Sequence, residues 1–323
     1  MNKELEIWQF AAERLMRNQP VMLLIVAESA GSSPGRQGFK MIVSHDEMCG
    51  SVGGGLMEMR LVELAKLKIR NEKLKNKVEI VEQIHRKNSE NASGMICSGK
   101  QIVIFFKLNF SHFEIVEKII FALENYQPMT LQISDSEIEF GKLQFNDTDF
   151  SFQQKNKIEF TYREKIGSKN KLFIVGGGHC ALALSELMSK MDFHISLFDD
   201  RADLNTIAKN KFVDAVKVIE TYENISEFIP SGANHFVVVM TLGYKYDEIV
   251  IRKLIDKNFR YFGVLGSRAK MKTLLKTLAK EGLSEAKLNR IYTPIGLPIN
   301  SRTPEEIAVS IAAEIIAVKN KSI

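Results

Sequence analysis

The sequence predicts two α/β domains: a C-terminal Rossmann-like domain with a doubly wound parallel sheet, and an N-terminal domain built on a mixed sheet. From residue 171 onward, short apolar strands alternate with segments of helical periodicity, which is typical of a parallel sheet covered by helices on both faces. A glycine-rich turn follows the first of these strands. With 323 residues, the chain is long enough for two domains that each bury a core.

The predicted N-terminal domain covers residues 1–108. Apolar residues recur at helical spacing in the first segment, and VMLLIVAES then has the length and branching of a buried strand. A glycine-rich loop leads into a second strand that ends near Val43, and a short strand and an amphipathic helix follow. Residues 73–84 and 101–108 are predicted to be further strands of the same sheet.

Residues 109–168 are predicted to form a connecting segment, with a helix over Phe113 to Glu124 and then small antiparallel strands such as TLQIS. The polar stretch IGSKNK marks the main boundary. Residues 169–323 then begin with LFIV, a glycine loop, a helix and HISLFDD, and continue with strands at AVKVI, HFVVVMT and YFGVLGS. A capping box and a proline at the first helical position predict the last helix, which starts in RTPEEIA.

Composition and charge limit the partners. The 44 basic and 39 acidic residues give a net charge of +5 without a long run of like charges, so no nucleic-acid partner is expected. The longest apolar run, Val21 to Ala27, is too short to span a bilayer. Three distant cysteines without a C-x-x-C pair fit a reducing compartment. We therefore expect a cytoplasmic protein with no membrane partner.

The turn VGGGHCALA carries the pattern G-x-G-x-x-A between a strand and a helix, with Gly176 and Gly178 as its glycines. Small residues there let a phosphate approach the backbone N–H groups at the helix start. Asp199 ends the next strand, where an acid commonly binds a ribose diol. His179 either donates to a ligand or is a solvated loop residue. Arg201 either neutralises a phosphate or pairs with a neighbouring acid, and pairing is favoured.

Three further groups could bind an anion. Arg268 follows an apolar strand where ligands of doubly wound sheets bind, although it could equally begin a helix at the surface. The loop GSSPGRQGFKM offers backbone N–H groups together with Arg36 and Lys40. Beside it, Gly53, Gly54 and Gly55 precede a helix and suit a phosphate or oxyanion, or else a tightly packed turn.

Cys97 lies in the turn GMICSGKQIV. A lone cysteine is most often a small buried hydrophobe, but the flanking glycine and serine favour exposure, and Lys100 could lower its pKa. Spacing alone favours the buried alternative, and Cys49 and Cys180 are expected to be structural.

These blocks together resemble the XdhC/CoxI family of molybdenum-cofactor accessory proteins. The resemblance rests on GSSPGRQGFKMIV, GSVGGGLME, the CSGK turn, LFIVGGGHCALAL with FDDR, and YFGVLGSRAK with TPIGLPINSRTPEEIAVSIAAEI, in that order. It implies a protein that binds the molybdenum cofactor (molybdopterin) while a cysteine desulfurase adds the terminal sulfur. The protein then delivers the cofactor to a xanthine dehydrogenase-type molybdoenzyme. It also implies a functional thiol and possible molybdenum contact at Cys97, and we expect a homodimer.

Two departures from the family pattern matter. The chain has Ser98 where the family has the first glycine after its cysteine, and TLGYKYD where many relatives carry T-H-x-H, so any role of those histidines is absent or passes to Tyr244. An acid at Asp199 suits a dinucleotide form of the cofactor, or NAD(P). An NAD(P)-dependent oxidoreductase is therefore the alternative function. We expect the two glycine turns to form the walls of one interdomain cleft.

Overall fold

The computed structural model describes residues 3–71, 78–85, 99–142, 149–156, 159–191 and 193–320. The chain divides into two compact units, Met1–Ser168 and Lys169–Ile323. Cys97 and the first part of the predicted strand 73–84 lie outside the described residues. No described helix has the length and apolar character needed to cross a membrane.

Unit 1 is built on a five-stranded sheet in the order β3-β2-β1-β5-β4. Its strands are β1 (Val21–Gly31), β2 (Lys40–Val43), β3 (Met48–Gly50), β4 (Glu79–His85) and β5 (Gly99–Leu108). Each of these four pairings is antiparallel, so the expected mixed sheet is antiparallel instead. The connections from β1 to β2 and from β2 to β3 are too short for the crossover that parallel neighbours require.

One helix covers each face of this sheet. Along β1, Leu23 and Ile25 face a core that contains Trp8 of α1 (Lys3–Met16). The alternate residues Met22, Leu24 and Val26 face a second core with Met57 and Leu61 of α2 (Gly55–Arg70). Both faces of the strand are thus buried, which explains why its sequence is a continuous apolar run.

The segment after β5 packs onto the same unit. It consists of a 3-10 turn (Phe110–His112), α3 (Phe113–Glu124) and the strands β6 (Met129–Ser134), β7 (Ile138–Gly141), β8 (Phe150–Gln154) and β9 (Phe160–Ile166). The strands form an antiparallel sheet in the order β7-β6-β9-β8. Ile119, Leu131 and Tyr162 share one core with Trp8, so this segment belongs to the body of unit 1 and is not a separate connector.

Unit 2 has five parallel strands in the order β12-β11-β10-β13-β14. They are β10 (Asn170–Val175), β11 (Phe193–Asp199), β12 (Ala215–Val218), β13 (Gly232–Val239) and β14 (Phe259–Val264). The helices are α4 (His179–Met188), α5 (Asn205–Lys209), α6 (Ile225–Phe228), α7 (Tyr244–Leu254), α8 (Arg268–Lys280), α9 (Glu285–Leu288) and α10 (Pro304–Lys319), with a 3-10 turn at Tyr222–Asn224.

Two separate apolar cores lie on opposite faces of this parallel sheet, so the predicted doubly wound Rossmann-like domain is confirmed. The predicted capping box is also present, with Thr303 accepting from the Glu306 amide and Pro304 in the first turn. β10, the first strand of the unit, lies in the middle of the sheet: β11 and β12 lie on one side of it, and β13 and β14 lie on the other. The direction in which strands are added to the sheet therefore reverses between β10 and β13. In open α/β sheets, ligands bind at the carboxyl ends of the strands near such a switch point. The glycine turn after β10 lies there.

Candidate functional site

The glycine triplet of unit 1 holds two loops in close contact. Gly53 has φ +134°, and a Cβ built on it would lie 2.6 Å from the backbone nitrogen of Gly35. A Cβ on Gly35 would in turn lie 2.2 Å from the carbonyl oxygen of Val52. By contrast, a Cβ on Gly54 would meet nothing within 4 Å, although its φ of +74° disfavours other residues. Tight packing therefore explains Gly53 but not Gly54.

Gln101 joins the same two loops, a role that the sequence did not reveal. Its side chain is fully buried; Nε2 donates to the carbonyl oxygen of Val52 at 2.9 Å, and Oε1 accepts from Ser33 Oγ at 2.7 Å. The only signal in the sequence is an amide side chain at the start of an otherwise apolar strand.

A carboxylate of the chain itself occupies part of the predicted anion site. Glu58 Oε2 accepts from the Val52 amide at 2.8 Å, the Gly54 amide at 2.9 Å and Ser51 Oγ at 2.6 Å. The Gly53 amide donates to Ser51 Oγ at 3.2 Å, so two of the three glycine amides expected to face a ligand, those of Gly53 and Gly54, are already bonded. The amide of Gly55, at the first position of α2, has no partner among the described residues.

The two cations of the first loop differ in what they contact. Lys40 is 7% exposed, and its ammonium lies 2.7 Å from a carboxylate oxygen of Glu4 and 2.8 Å from one of Glu164. Burial opposes its charge, but the two carboxylates raise the pKa of Lys40 above its ordinary value. The prediction that Lys40 binds an anionic ligand is therefore wrong, because its charge is neutralised inside unit 1. The Arg36 side chain is exposed and pairs with none of the described residues.

The cysteines give no activated thiol within the described part of the chain. Burial raises the pKa of Cys49 and, independently, that of Cys180. Lys100, proposed to act on the Cys97 thiol, forms an ion pair with Glu82 at 2.8 Å. The predicted role of Cys97 stays a prediction because that residue lies outside the described ranges.

The glycine turn of unit 2 leaves its helix start open. Gly176 has φ +109° and packs against the end of β13, since a Cβ there would lie 2.3 Å from the Met240 carbonyl oxygen. Gly178 caps α4, and a Cβ on it would meet nothing within 4 Å. The amides of Gly178 and His179 have no hydrogen-bond partner in the described part of the chain, and the His179 side chain is exposed. These amides can therefore donate to an anion.

Asp199 does not have the free carboxylate expected of a ribose-binding acid. It is 0% exposed; Oδ2 accepts from the Gly177 amide at 2.6 Å and from Arg201 Nη2 at 2.8 Å. Oδ1 accepts from the amide and Nε of Arg201 at 2.9 and 2.8 Å. Burial alone would raise the pKa of Asp199, but these hydrogen bonds outweigh burial and hold it below its ordinary value. The predicted pairing of Arg201 with a neighbouring acid is thus observed.

A cleft of about 670 Å³ opens beside this turn. Its walls come from the start of α4, the segment after β11 and the end of β13; among its residues are Gly178, His179, Arg201, Lys209 and Thr241. The cleft brings together three of the sequence-predicted positions, Gly178, His179 and Arg201. Lys209, which the sequence analysis missed, is exposed on α5.

Arg268 lies elsewhere at the carboxyl edge of the same sheet. It is exposed at the first position of α8, has no partner among the described residues and does not line the cleft. Its neighbour Lys270 instead donates at 2.9 Å to the buried carboxylate of Asp247, which also accepts from Thr241 Oγ1 at 2.6 Å. Tyr244 packs against an apolar core.

The described residues contain no group of three or more His, Cys, Asp or Glu side chains that could hold a metal ion. Both units instead present backbone donors and single cations. This donor set suits a phosphorylated anion held by hydrogen bonds.

Comparison with known proteins matches both units to one family. Residues 15–75 match the description "XdhC and CoxI family", and residues 172–315 match "XdhC Rossmann domain". A Bacillus subtilis protein described as a probable subunit of xanthine dehydrogenase is 28% identical over 250 residues, which cover 75% of this chain and 68% of that protein.

Two further similarities extend over nearly the whole chain. The uncharacterized protein YqeB of Escherichia coli is 23% identical over 322 residues, or 98% of this chain and 47% of that protein, so the chain spans about half the length of this relative. A crystal structure of a protein described as a xanthine dehydrogenase from Bacillus halodurans superposes with a TM-score of 0.73 at 20% identity. That match covers 100% of this chain and 97% of the other, and supports the fold.

Proposed function

Because the chain belongs to the XdhC and CoxI family, we propose that it is an accessory protein of a xanthine dehydrogenase-type molybdoenzyme. In this proposal it binds the molybdenum cofactor, shields it while a cysteine desulfurase supplies the terminal sulfur, and passes it to the enzyme. The Bacillus subtilis relative, described as part of a xanthine dehydrogenase, supports the link to that enzyme system. A cytoplasmic homodimer is part of the same proposal.

The open turn at Gly178 carries the cofactor-binding part of the proposal. Two unbonded amides, those of Gly178 and His179, lie at the start of a ten-residue helix and next to a 670 Å³ cleft. A phosphate is stabilised by such amides and by the helix dipole. Molybdopterin carries one phosphate on a fused heterocycle, which this combination of donors and space can accommodate.

The amides of the two glycine turns differ in availability, so we assign the main phosphate contact to unit 2. In unit 1, Arg36 and the Gly55 amide are donors without a partner among the described residues. Cys97 remains the candidate thiol.

The alternative function, an NAD(P)-dependent oxidoreductase, depended on a ribose contact from Asp199. Since the Asp199 carboxylate is bonded by Gly177 and Arg201, no observation on the described residues now favours that alternative.

The test is cofactor retention in the full chain purified without oxygen, with molybdenum measured by mass spectrometry and pterin by fluorescence. Gly178→Phe is expected to reduce both at least tenfold, because the ring would fill the space in front of the amides. Gly141→Phe is a matched control, since Gly141 also faces open space but lies on β7 of unit 1. Undiminished retention in Gly178→Phe would contradict the proposed site. Hydride transfer from NADH or NADPH by a metal-free protein would favour the alternative.

A further inference from the structure

The cleft of unit 2 differs from a dinucleotide site at the end of β11. In dinucleotide-binding Rossmann folds, an acid at this position accepts hydrogen bonds from the ribose hydroxyls. A carboxylate has about four acceptor positions in total. Asp199 uses four, with two hydrogen bonds on each oxygen, and its exposed fraction is 0%. It has neither acceptor capacity nor exposed surface left for a diol.

Arg201 is restrained by the same contacts. In proteins that bind NADP, an arginine nearby accommodates the 2′-phosphate. Here Nε and Nη2 of Arg201 both donate to Asp199, at 2.8 Å each. Asp200 lies 3.7 Å from Arg201 Nε and adds further negative charge. The residue that could meet a 2′-phosphate is thus largely neutralised.

The helix α5 closes the same side of the turn. Thr206 Oγ1 donates to the carbonyl oxygen of Gly177, and Thr206 is buried. The Ile207 side chain lies so close to Gly177 that a Cβ on that glycine would be 2.7 Å from Ile207 Cγ1. Thr206 and Ile207 therefore cover the face of Gly177 next to Asp199, and a ribose that approached Asp199 from this face would meet them.

The opposite side of the turn stays open. Gly178 has free space in front of it, and the cleft of about 670 Å³ is lined there by His179 and Lys209, with Asp203 as its one lining carboxylate. Arg201 also lines the cleft but is paired with Asp199. A phosphate can reach the helix start from this side without meeting Asp199.

We propose that this cleft selects a phosphate monoester of a compact heterocycle and excludes ligands that present a ribose diol. This inference rests on the proposed function and specifies its ligand: the cofactor form without an attached nucleotide. Asp199, Arg201 and α5 are the determinants of this selectivity.

The experiment is calorimetric titration of the full chain with three probes: 6-hydroxymethylpterin monophosphate, ADP-ribose and inorganic phosphate. We expect the pterin monophosphate to bind at least tenfold more tightly than ADP-ribose. Arg201→Ala removes two of the four hydrogen bonds to Asp199 and should increase the affinity for ADP-ribose at least tenfold. Arg268→Ala, an exposed arginine outside the cleft, is the matched control and should leave the affinity for ADP-ribose unchanged. If Arg201→Ala fails to fold by circular dichroism, Ile207→Ala, which opens the space beside Gly177, replaces it.

Equal affinities of the native chain for ADP-ribose and the pterin monophosphate would overturn the proposal, as would binding of neither probe. If neither Arg201→Ala nor its replacement Ile207→Ala increased the affinity for ADP-ribose, Asp199 and its partners would not be the determinants of the selectivity. Molybdenum is measured in the same preparation, because its retention tests the proposed function independently of the ligand selectivity. A chain that retains molybdenum but binds ADP-ribose equally well remains an accessory protein with a different ligand preference.

Discussion

The glycine run Gly53–Gly55 of unit 1 and the run Gly176–Gly178 of unit 2 each join a strand to a helix, yet their backbone amides meet different partners. In unit 1, the Glu58 carboxylate bonds the amides of Val52 and Gly54. In unit 2, Asp199 takes only the amide of Gly177, and the following amides at the helix start stay unbonded beside a cleft. A glycine run therefore offers amide donors to an anion only where carboxylates of the same chain leave those amides unbonded.

The largest expected effect comes from the tight contact in unit 1. Gly53→Ala should destabilise unit 1 by about 3 kcal/mol or more, since its Cβ would lie 2.6 Å from a backbone nitrogen at a φ of +134°. Urea unfolding followed by the fluorescence of Trp8, the single tryptophan and fully buried in unit 1, measures this change. Gly141→Ala, with open space around it, is the control. A loss below about 1 kcal/mol would mean that the two loops can separate easily.

A somewhat smaller loss is expected for Gln101→Leu. The substitution keeps the approximate size but leaves the Val52 carbonyl and the Ser33 hydroxyl without their buried partner. Each lost partner costs about 1–2 kcal/mol, so unit 1 should lose about 2–3 kcal/mol in the same Trp8 assay. The exposed Gln153 provides the control substitution Gln153→Leu. Equal stability of the two variants would show that Gln101 does not hold the loops together.

Local sequence patterns predicted the surroundings of the glycine turn in unit 2 better than the side-chain contacts of unit 1. The strand, helix and glycine order of unit 2 follows from hydrophobic periodicity, and the pairing of Arg201 with Asp199 joins residues two apart, so both were visible in the sequence. Lys40, in contrast, finds Glu4 and Glu164 on elements that are distant in sequence, and periodicity carries no information on such partners. Gln101 was missed for the same reason, because its role depends on which loops meet.

The antiparallel sheet of unit 1 and the covered Asp199 show a second limit. The helix α2 lies between β3 and β4 in the sequence, and this order of strand, helix and strand also occurs in parallel crossovers. Only the identity of the strands that pair decides whether a sheet is parallel or antiparallel. Likewise, the sequence placed an acid at the end of β11 correctly, but the four donors that surround Asp199 come from two separate segments of unit 2. Position was predictable, whereas availability for a ligand was not.

A buried carboxylate in each unit, Glu164 in unit 1 and Asp199 in unit 2, should make the stability of its unit depend on pH with opposite signs. Burial raises the pKa of Glu164 to about 7 despite the adjacent Lys40, so folded unit 1 binds this proton more tightly than the unfolded chain. Unit 1 should therefore lose stability as pH rises from about 4.5 to about 7, by about 2–3 kcal/mol. The pKa of Asp199 is lowered, so unit 2 should lose stability as pH falls through 3.8 and below.

Trp8 fluorescence in urea at pH 5 and pH 7.5 measures the first of these effects. Glu164→Gln should remove most of the difference between the two pH values, while Glu137→Gln, an exposed substitution in the same unit, should retain it. The assignment to Glu164 would be contradicted if native unit 1 were more stable at pH 7.5 than at pH 5 and the Glu164→Gln variant showed the same pH dependence.

The smallest expected effects compare the two turns directly, at the glycine of each that faces open space. A Cβ on Gly54 or on Gly178 meets nothing within 4 Å, so the steric term is absent from both. Gly54 has φ +74° and Gly178 has φ −73°, and only the first conformation disfavours a side chain. Gly54→Ala should therefore cost about 1 kcal/mol, and Gly178→Ala a few tenths of a kcal/mol. Hydrogen exchange of the α2 and α4 peptides reports each cost at its own helix start. Equal losses of stability in the two variants would mean that the backbone at Gly178 is also restricted to a conformation that favours glycine. Access for a ligand would then not be the sole explanation for glycine at this position.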